Sequence, residues 1–359
     1  MGIWQLDELQ YLGATKLAHL NRAHPREAIG SASMPITVVG SIAYDSVSTP
    51  FGERQRMLGG AAVHFALAAS FFQEVRVVGP VGDDFGETEL DVLRNRGVDI
   101  SDVERIAGGK TFFWRGKYGW DLNSRETLDT QLGVFEGFQP KLSAASRSSD
   151  VLFLANIQPD LQRDVRAQMP DARFVALDSM NLWIEAARES LMKAIAECDC
   201  LILNDSELRQ LTDKASLYAA AREVLSWASS PPDGGHETSV RRGPRVIVAK
   251  QGEYGAALVT ADGFFSLPAF PLESVVDPTG AGDTFAGGFV GYIAAHVDEE
   301  ITDELLRQAM AHGTALASFN VEEFGTHRIE SLAGAEIVAR VRQLREFTQF
   351  SAAPVPLGE

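Results

Sequence analysis

The feature of this sequence that most constrains its fold is an alternation of short β-branched runs with longer segments of helical period, which begins at residue 36. Strands that alternate with helices form mostly parallel sheets covered on both faces, so the pattern predicts an α/β fold with three α/β/α layers. The predicted strands are Thr37–Gly40, Val75–Val78, Val151–Leu154, Phe174–Leu177, Cys200–Leu203, Val246–Ala249 and Ala256–Val259. The predicted helices are Ala61–Phe71, Gly86–Arg96, Pro159–Gln168, Trp183–Glu197, Ser206–Leu211, Lys214–Ala228, Thr284–His296, Asp303–Phe319 and Ala335–Phe347.

Two stretches interrupt this alternation. Ser46–Leu58 is polar and has no helical period, and Lys110–Trp120 is rich in aromatic residues. Both stretches predict strands of a small second sheet that is inserted into the main fold. We therefore expect a β lid with segments near 46–58 and 107–125.

The length of 359 residues allows two domains or one large α/β unit. The continuous alternation favours one unit over residues 35–347, with an N-terminal appendage at 1–34 and a C-terminal tail at 348–359. The first 33 residues contain charges throughout and no apolar signal core. No run of about 18 apolar residues occurs, so we expect no membrane span.

The charge balance excludes some classes of partner. There are 49 acidic and 32 basic residues, which gives a net charge of −17. Such an acidic chain is not expected to bind nucleic acid or an anionic membrane surface, and any anionic ligand needs a local site. The two cysteines, Cys198 and Cys200, are too few for a zinc site and predict reduced core thiols in a cytoplasmic protein.

The segment that carries most chemical information runs from residue 277 to residue 290 and reads Asp-Pro-Thr-Gly-Ala-Gly-Asp-Thr-Phe-Ala-Gly-Gly-Phe-Val. Its Gly280–Gly282 turn opens an apolar helix, so free N–H groups and the helix dipole make a cradle for a phosphate. Asp283 would repel that phosphate unless it takes a proton from an attacking hydroxyl. The alternative is that Asp283 is an ordinary acid at a helix start and that the glycines belong to a loop.

This segment resembles the C-terminal signature of the ribokinase-like (PfkB-type) carbohydrate kinases. The resemblance implies an ATP-dependent kinase with Mg²⁺, in which Gly280, Ala281 and Gly282 form the anion hole and Asp283 is the catalytic base. It also makes Asp277 a candidate ligand of a monovalent cation such as K⁺. The resemblance covers about residues 36–347 and implies the ribokinase-like fold.

Two further segments look like the part of the family that binds the acceptor. Gly59 and Gly60 open a helix as the family's diglycine motif does, but His64 stands where the family usually has Asn. Asp45 follows the first strand and would accept hydrogen bonds from sugar hydroxyls. His64 is a candidate substrate contact, and a helix histidine paired within the protein is the alternative. Asn156 and Asn181 follow central strands and are further candidate acceptor contacts, as is Asp178.

Other segments resemble the nucleotide side of the family's site. Asn204 and Glu207 match an Asn-x-x-Glu motif, in which Glu207 would hold Mg²⁺ through water. The remaining candidates for nucleotide binding are Lys250, Gly252, Gly255, His312, Gly313 and Gly325. Neither a P-loop motif nor a Rossmann Gly-x-Gly-x-x-Gly after the first strand is present.

The sequence therefore predicts a kinase that transfers the γ-phosphate of ATP to a hydroxyl of a sugar or sugar-like small molecule. A nucleoside kinase on the same fold is the first alternative, and a non-catalytic regulator or ligand-binding homologue is the second. The aromatic lid is a candidate contact for a homodimer or for the acceptor.

Overall fold

The computed structural model describes residues 34–227 and 243–350. In these ranges the strands are β1 (Ile36–Val39), β2 (Ala43–Thr49), β3 (Gly52–Gly59), β4 (Val75–Gly82), β5 (Asp99–Ile106), β6 (Phe112–Tyr118), β7 (Arg125–Gln131), β8 (Val151–Leu154), β9 (Phe174–Asp178), β10 (Cys200–Asn204), β11 (Val246–Lys250), β12 (Ala256–Val259) and β13 (Phe264–Leu267). The helices are α1 (Ala61–Ala69), α2 (Glu87–Asn95), α3 (Ala144–Arg147), α4 (Pro159–Gln168), α5 (Asn181–Ala186), α6 (Arg188–Ile195), α7 (Asp205–Thr212), α8 (Leu217–Trp227), α9 (Ala281–Ala294), α10 (Asp303–Asn320), α11 (His327–Ser331) and α12 (Gly334–Thr348).

The main sheet has nine strands in the order β13-β12-β11-β10-β9-β8-β1-β4-β5. Strand β12 runs antiparallel to both β11 and β13, and the other neighbours are parallel. In the centre, Ile36 of β1 pairs with Val75 on one side and Val151 on the other. The carboxyl ends of the parallel strands consequently meet at one edge of the sheet, where open α/β folds bind their ligands.

Each face of the main sheet carries its own apolar core. Val38 and Phe153 pack with α1, α9 and α10 on one face. Val39 and Leu154 pack with α4, α6, α7 and α8 on the other face. Successive residues of a strand point to opposite faces, so fully apolar strands fill both cores. This confirms the predicted three-layer α/β/α architecture.

A second sheet of four strands, in the order β3-β2-β6-β7, forms the small β lid. Both stretches that interrupt the sequence alternation contribute strands to it. An apolar cluster joins the lid to the main body: Val47, Met57 and Tyr118 pack with Phe324, and Val276 lies against them.

The predicted elements differ from the structure in three ways, the first being that the short helices α3 and α11 were not predicted. Strands β5, β7 and β13 were not predicted, and each is the last strand at one end of its sheet. Their side chains are mostly half-buried or exposed, so they lack the apolar runs of the interior strands. The single helix predicted over Trp183–Glu197 is two helices, α5 and α6, because the backbone leaves the helical region at Ala187.

The predicted domain limits stay predictions, since residues 1–33 and 351–359 lie outside the described residues. Cys198 and Cys200 are both buried and free. Among the described residues, no helix combines the length and the hydropathy that crossing a bilayer requires.

Candidate active site

The turn before α9 requires glycine at residue 280 for two reasons. Gly280 has φ 73° and ψ −1°, in the left-handed region that favours glycine. A Cβ on Gly280 would lie 2.3 Å from Cε1 of His64. The carbonyl of Gly280 accepts the Thr284 N–H at 2.8 Å, and the Ala281 N–H donates to Pro278 at 3.3 Å. The N–H groups of the first helical turn have no intrahelical acceptor, so this turn offers donors to an anion.

Asp277 fixes the loop that leads into this turn. Its side chain is fully buried. One carboxylate oxygen accepts the Thr279 N–H at 2.9 Å and the other accepts the Gly325 N–H at 3.0 Å. Burial raises the pKa of Asp277, and these two hydrogen bonds oppose the rise. The carboxylate therefore ties the loop to Gly325, in the segment between α10 and α11.

A buried network places His64 against Gly280. The Asn320 side chain donates to the Thr279 carbonyl at 2.8 Å, so its oxygen is the acceptor for Thr284 Oγ1 at 3.0 Å and for His64 Nδ1 at 3.2 Å. Nδ1 of His64 therefore carries the proton. Nε2 of His64 is buried and has no partner among the described residues. Burial lowers the pKa of His64 to about 4, so the ring is neutral.

Lys250 lies beside the turn and is surrounded by carboxylates. Its Nζ donates to Asp178 Oδ2 at 2.9 Å, and a Cβ on Gly282 would be 3.2 Å from the same nitrogen. Burial alone would lower the pKa of Lys250, but the charges of Asp178, Glu207 and Asp283 outweigh it and raise the pKa. Lys250 is thus a fixed positive charge at the anion cradle.

Asp283 is set up to exchange a proton near neutral pH. Burial, followed by repulsion from Asp178, raises its pKa to about 7. Lys250, the residue's own N–H and Arg125 oppose that rise. A general base works best when its pKa lies near the working pH, so the environment of Asp283 suits that task.

Asn204 and Glu207 form a capping box at the start of α7. The Glu207 N–H donates to Asn204 Oδ1 at 2.7 Å, and the Asn204 N–H donates to Glu207 Oε2 at 2.8 Å. Burial raises the pKa of Glu207 to about 7, against the attraction of Lys250. The other carboxylate oxygen of Glu207 stands outside this box.

The donor set suits a magnesium ion that arrives with a nucleotide. No group of three or more His, Cys, Asp or Glu side chains in the described part of the chain could hold a metal by itself. Mg²⁺ usually keeps several waters and binds one or two carboxylates plus substrate phosphates. Glu207 beside the phosphate turn fits that mode of binding.

Asp45 lies directly against the diglycine motif. The Gly60 N–H lies near its carboxylate, and a Cβ on Gly59 would be 2.0 Å from Asp45 Oδ2. Burial, followed by repulsion from Asp277 and Asp283, raises the pKa of Asp45 to about 7, and the Gly60 N–H opposes the rise. The glycines thus allow a carboxylate to approach the start of α1 within reach of the charge of Asp283.

The other predicted acceptor contacts lie at the same edge of the sheet. Asn156 accepts a hydrogen bond from the Trp183 indole at 2.9 Å. Asn181 is exposed at the start of α5. In the described part of the chain neither residue hydrogen-bonds to Asp45 or Asp283, so the geometry does not join them to the central cluster.

The residues predicted to bind the nucleotide are spread over a greater distance than the central cluster around Asp283. Gly252 and Gly255 bound a short turn in which the Gln251 N–H donates to the Gly255 carbonyl at 2.7 Å. His312 stacks on Tyr292 with ring centroids 4.2 Å apart. Tyr292 is nine residues beyond Asp283 on α9, or about 13 Å at the helical rise. Gly313 packs on Phe285 of the same helix.

Sequence reasoning missed three parts of this cluster. Asp178 was considered only as an acceptor contact, whereas its carboxylate holds Lys250. Asn320 and Arg125 were not predicted at all. The position of Asp178 after a central strand was a usable signal, but Asn320 and Arg125 stand in segments without a motif.

Comparison with known proteins places these features in a family. The sequence profile of the pfkB family carbohydrate kinases matches residues 27–331. The cytidine kinase of Thermococcus kodakarensis is 28% identical over 274 residues, which cover 74% of this chain and 91% of that protein.

Solved structures show the same fold. The Burkholderia thailandensis nucleoside kinase in complex with ADP-inosine has a TM-score of 0.67 and 19% identity, covering 90% of this chain and 100% of that one. The Arabidopsis thaliana ribokinase complexed with ribose and ATP has a TM-score of 0.64 and 20% identity, covering 86% and 99%. These likenesses establish the ribokinase-like fold. The chain belongs to the pfkB family of carbohydrate kinases, which are phosphotransferases with an alcohol group as acceptor.

Proposed function

We propose that this chain is an ATP-dependent kinase that transfers the γ-phosphate to a hydroxyl of a sugar or sugar-like small molecule. The observation that carries the proposal is the position of Asp283, a carboxylate with a pKa of about 7 in the first turn of α9, beside the Gly280–Gly282 turn. An anion at a phosphate cradle is unfavourable unless it removes a proton from the attacking group.

In this mechanism the N–H groups of Gly280 and Gly282 stabilise charge on the phosphoryl oxygens, and the Ala281 N–H joins them when it exchanges the Pro278 carbonyl for a phosphate oxygen. One such preorganised donor is worth about 3 kcal/mol in comparable sites. Asp283 takes the hydroxyl proton while the oxygen attacks the phosphorus in line with the departing ADP. Lys250, held by Asp178, adds positive charge next to Gly282.

The nucleotide is proposed to lie along α9 from this turn. Its phosphates meet Lys250, Asn204 and Glu207, and its base lies toward His312 and Gly313. The distance of about 13 Å along α9 from Asp283 to Tyr292 supports this placement. A single phosphate group is too short to extend over that distance, so the ligand must be larger than a phosphate. Gly252, Gly255 and Gly325 form the surrounding turns.

A bound Mg²⁺ would neutralise phosphate charge in a site that is rich in acids. Three carboxylates, those of Asp178, Glu207 and Asp283, act on the single charge of Lys250, and this excess of acids favours a divalent cation. Glu207 would hold the ion through water. Asp277 keeps its candidate role toward K⁺, with its two oxygens already receiving backbone N–H groups.

The acceptor is proposed to lie between the diglycine motif and the lid. Asp45 can accept hydrogen bonds from two hydroxyls, and the lone pair of His64 Nε2 can accept another. Asn156 and Asn181 would line the outer part of this site.

A nucleoside acceptor is the second candidate function. It is supported by the names of two similar proteins, a cytidine kinase and a nucleoside kinase. In this case the phosphorylated group would be the ribose 5′-hydroxyl, and the nucleobase would meet the aromatic side of the lid.

An acceptor panel read by ADP release tests both candidates. It contains ribose, deoxyribose and fructose on one side and cytidine, adenosine, inosine and guanosine on the other. We expect turnover with members of one group. Binding without ADP release across the whole panel would instead favour a non-catalytic homologue.

The substitution Asp283→Asn tests the base directly. We expect it to keep ATP binding and to lower kcat by about 10²–10⁴-fold, the usual contribution of a general base. Asp303→Asn is the matched control, because Asp303 also lies in the first turn of a helix, α10, outside the site. Near-normal turnover of the Asp283→Asn enzyme would refute the proposed function.

A further inference from the structure

One end of the lid touches both halves of the site. The Thr279 hydroxyl donates to the Tyr118 hydroxyl at 3.2 Å, directly before the Gly280 turn. The Asn123 amide donates to Glu253 at 2.9 Å, within the Gly252–Gly255 turn. The end of the β6–β7 hairpin therefore spans from the phosphate turn to the proposed nucleotide turn.

Arg125 begins β7 at this end of the lid. It is the cross-strand partner of Tyr118, so the two side chains share one face of the lid sheet. Its guanidinium lies beside the Tyr118 side chain and 5.5 Å from the centre of the Trp114 ring. Because Tyr118 contacts Thr279, the face of the lid sheet that carries Tyr118 and Arg125 points toward the Gly280–Gly282 turn.

The guanidinium charge of Arg125 is available to bind an anion. Its side chain is exposed, and within the described ranges it forms no ion pair with a carboxylate. Lys250, by contrast, is bound to Asp178. The cross-strand partner of Arg125, Tyr118, contacts Thr279 directly before the Gly280 turn, so the free charge of Arg125 lies at the end of the lid that meets the transfer site.

We propose that Arg125 is a catalytic residue supplied by the lid, whose guanidinium contacts the γ-phosphate as it is transferred. The inference rests on the proposed kinase function. A guanidinium presents several donors in a plane and binds phosphate oxygens in pairs. Because Arg125 arrives on the lid, closure over the acceptor completes the charge around the phosphate, and an open lid leaves ATP poorly activated.

The first experiment compares the variants Arg125→Gln and Arg125→Lys in steady-state kinetics with ribose and with cytidine. Arginines that stabilise phosphoryl transfer contribute about 10³–10⁵-fold in other enzymes. For Arg125→Gln we expect kcat to fall by at least ~100-fold while KM for the acceptor changes by less than ~3-fold. Arg125→Lys keeps the positive charge but loses the planar guanidinium, so its kcat should lie between that of Arg125→Gln and that of the wild type.

Arg115→Gln is the matched control. Arg115 is an exposed arginine of the neighbouring strand β6, an odd number of residues from Tyr118 and thus on the opposite lid face, where it pairs with Glu53 at 3.7 Å. It should keep wild-type kcat. Thermal unfolding of all three variants should match the wild type, since both arginines are exposed.

A binding measurement separates a phosphate contact from a structural role. In calorimetry with Mg²⁺, Arg125→Gln should weaken AMP-PNP by about tenfold and leave ADP unchanged, because only the former has a γ-phosphate. The acid limb of kcat/KM should also move to higher pH, since Asp178 and Lys250 would then be the remaining charges that act on Asp283.

The inference is wrong if Arg125→Gln keeps kcat within about threefold of the wild type, if Arg115→Gln loses as much, or if AMP-PNP and ADP weaken equally. These outcomes are distinct from a failure of the proposed function. An inactive Asp283→Asn enzyme beside an active Arg125→Gln enzyme overturns only the role of Arg125. An active Asp283→Asn enzyme overturns the function itself.

Discussion

At the scale of single residues, Gly280 shows how one position can satisfy two separate demands. Its positive φ lets the loop turn into α9, and its missing side chain leaves room for the ring of His64. The first demand is local and could be inferred from the motif. The second comes from a helix more than 200 residues away in the chain and has no signal in the motif.

Gly280→Ala should therefore be damaging in two ways. The left-handed backbone costs a non-glycine residue about 1–2 kcal/mol, and the overlap with His64 distorts the cradle in addition. Gly97→Ala is a matched control, because Gly97 has φ 72° and no atom within 4 Å of its Cβ position. Urea unfolding and kinetics should show a loss of stability in both variants and a loss of kcat of ~100-fold only in Gly280→Ala. Equal kcat values would contradict the steric argument.

The pKa of Asp283 sets the pH dependence of the reaction. The base must be ionised, so kcat/KM should rise with pH up to about 7 and level off above it. Asp45 has a similarly raised pKa and also serves best as a carboxylate, which should steepen the acid limb. A profile between pH 5.5 and 9 with the best acceptor of the panel measures this. A flat profile below pH 7 would be incompatible with Asp283 as base.

At the scale of elements, α9 is packed unusually closely by its two neighbours. A Cβ on Gly287 would lie 2.3 Å from the Phe65 carbonyl of α1, and one on Gly288 would lie 2.9 Å from Cα of Gly313 on α10. The structure shows that each glycine faces a different helix, so the pair lets both α1 and α10 approach α9 closely.

Gly287→Ala should push α1 away from α9 and thereby separate Gly60 from Gly280. Overpacking of this kind costs about 1–3 kcal/mol, and the displaced diglycine motif should raise KM for the acceptor more than KM for ATP. Gly137→Ala is the control, because its Cβ would meet nothing within 4 Å. The variants are compared by urea unfolding and by KM for each substrate. An unchanged stability of Gly287→Ala would argue against the close contact.

The strands differ in how well they can be predicted from the sequence. The interior strands are buried on both faces, so they appear as short apolar runs and were predicted within a few residues. Strands β5, β7 and β13 end their sheets and carry polar side chains, and their pairing depends on the neighbour that they meet.

At the scale of the whole molecule, folding concentrates acids at one edge of the sheet. Asp45, Glu207 and Asp283 each have a pKa of about 7 in the folded protein, above their ordinary values near 4. The folded state therefore binds more protons than the unfolded chain between about pH 4 and 7. Stability conferred by these groups is lost as pH rises through that window.

The free protein should accordingly unfold more easily at pH 8 than at pH 5.5. Asp283→Asn should stabilise it at pH 8 by about 1–3 kcal/mol, because it removes a repelled charge, and by about half as much at pH 5.5, which lies midway through that window. Chemical unfolding at the two pH values, with Asp303→Asn as control, measures the difference. A destabilised Asp283→Asn variant at pH 8 would show that repulsion is not the dominant influence on this carboxyl.

The sequence by itself determined the α/β class, the lid, the phosphate turn and Asp283, because these depend on local periodicity and on one continuous motif. Only the tertiary structure decided that Asp178 holds Lys250, that Asn320 orients His64, and that Arg125 lies beside Tyr118 at the end of the lid that contacts Thr279. The residues in each pair are far apart in the chain. They come into contact because of the order of strands in the sheet and the way the lid packs on the main body. The sequence sets the chemical type of each side chain, but the electrostatic field that shifts its pKa depends on the entire folded structure.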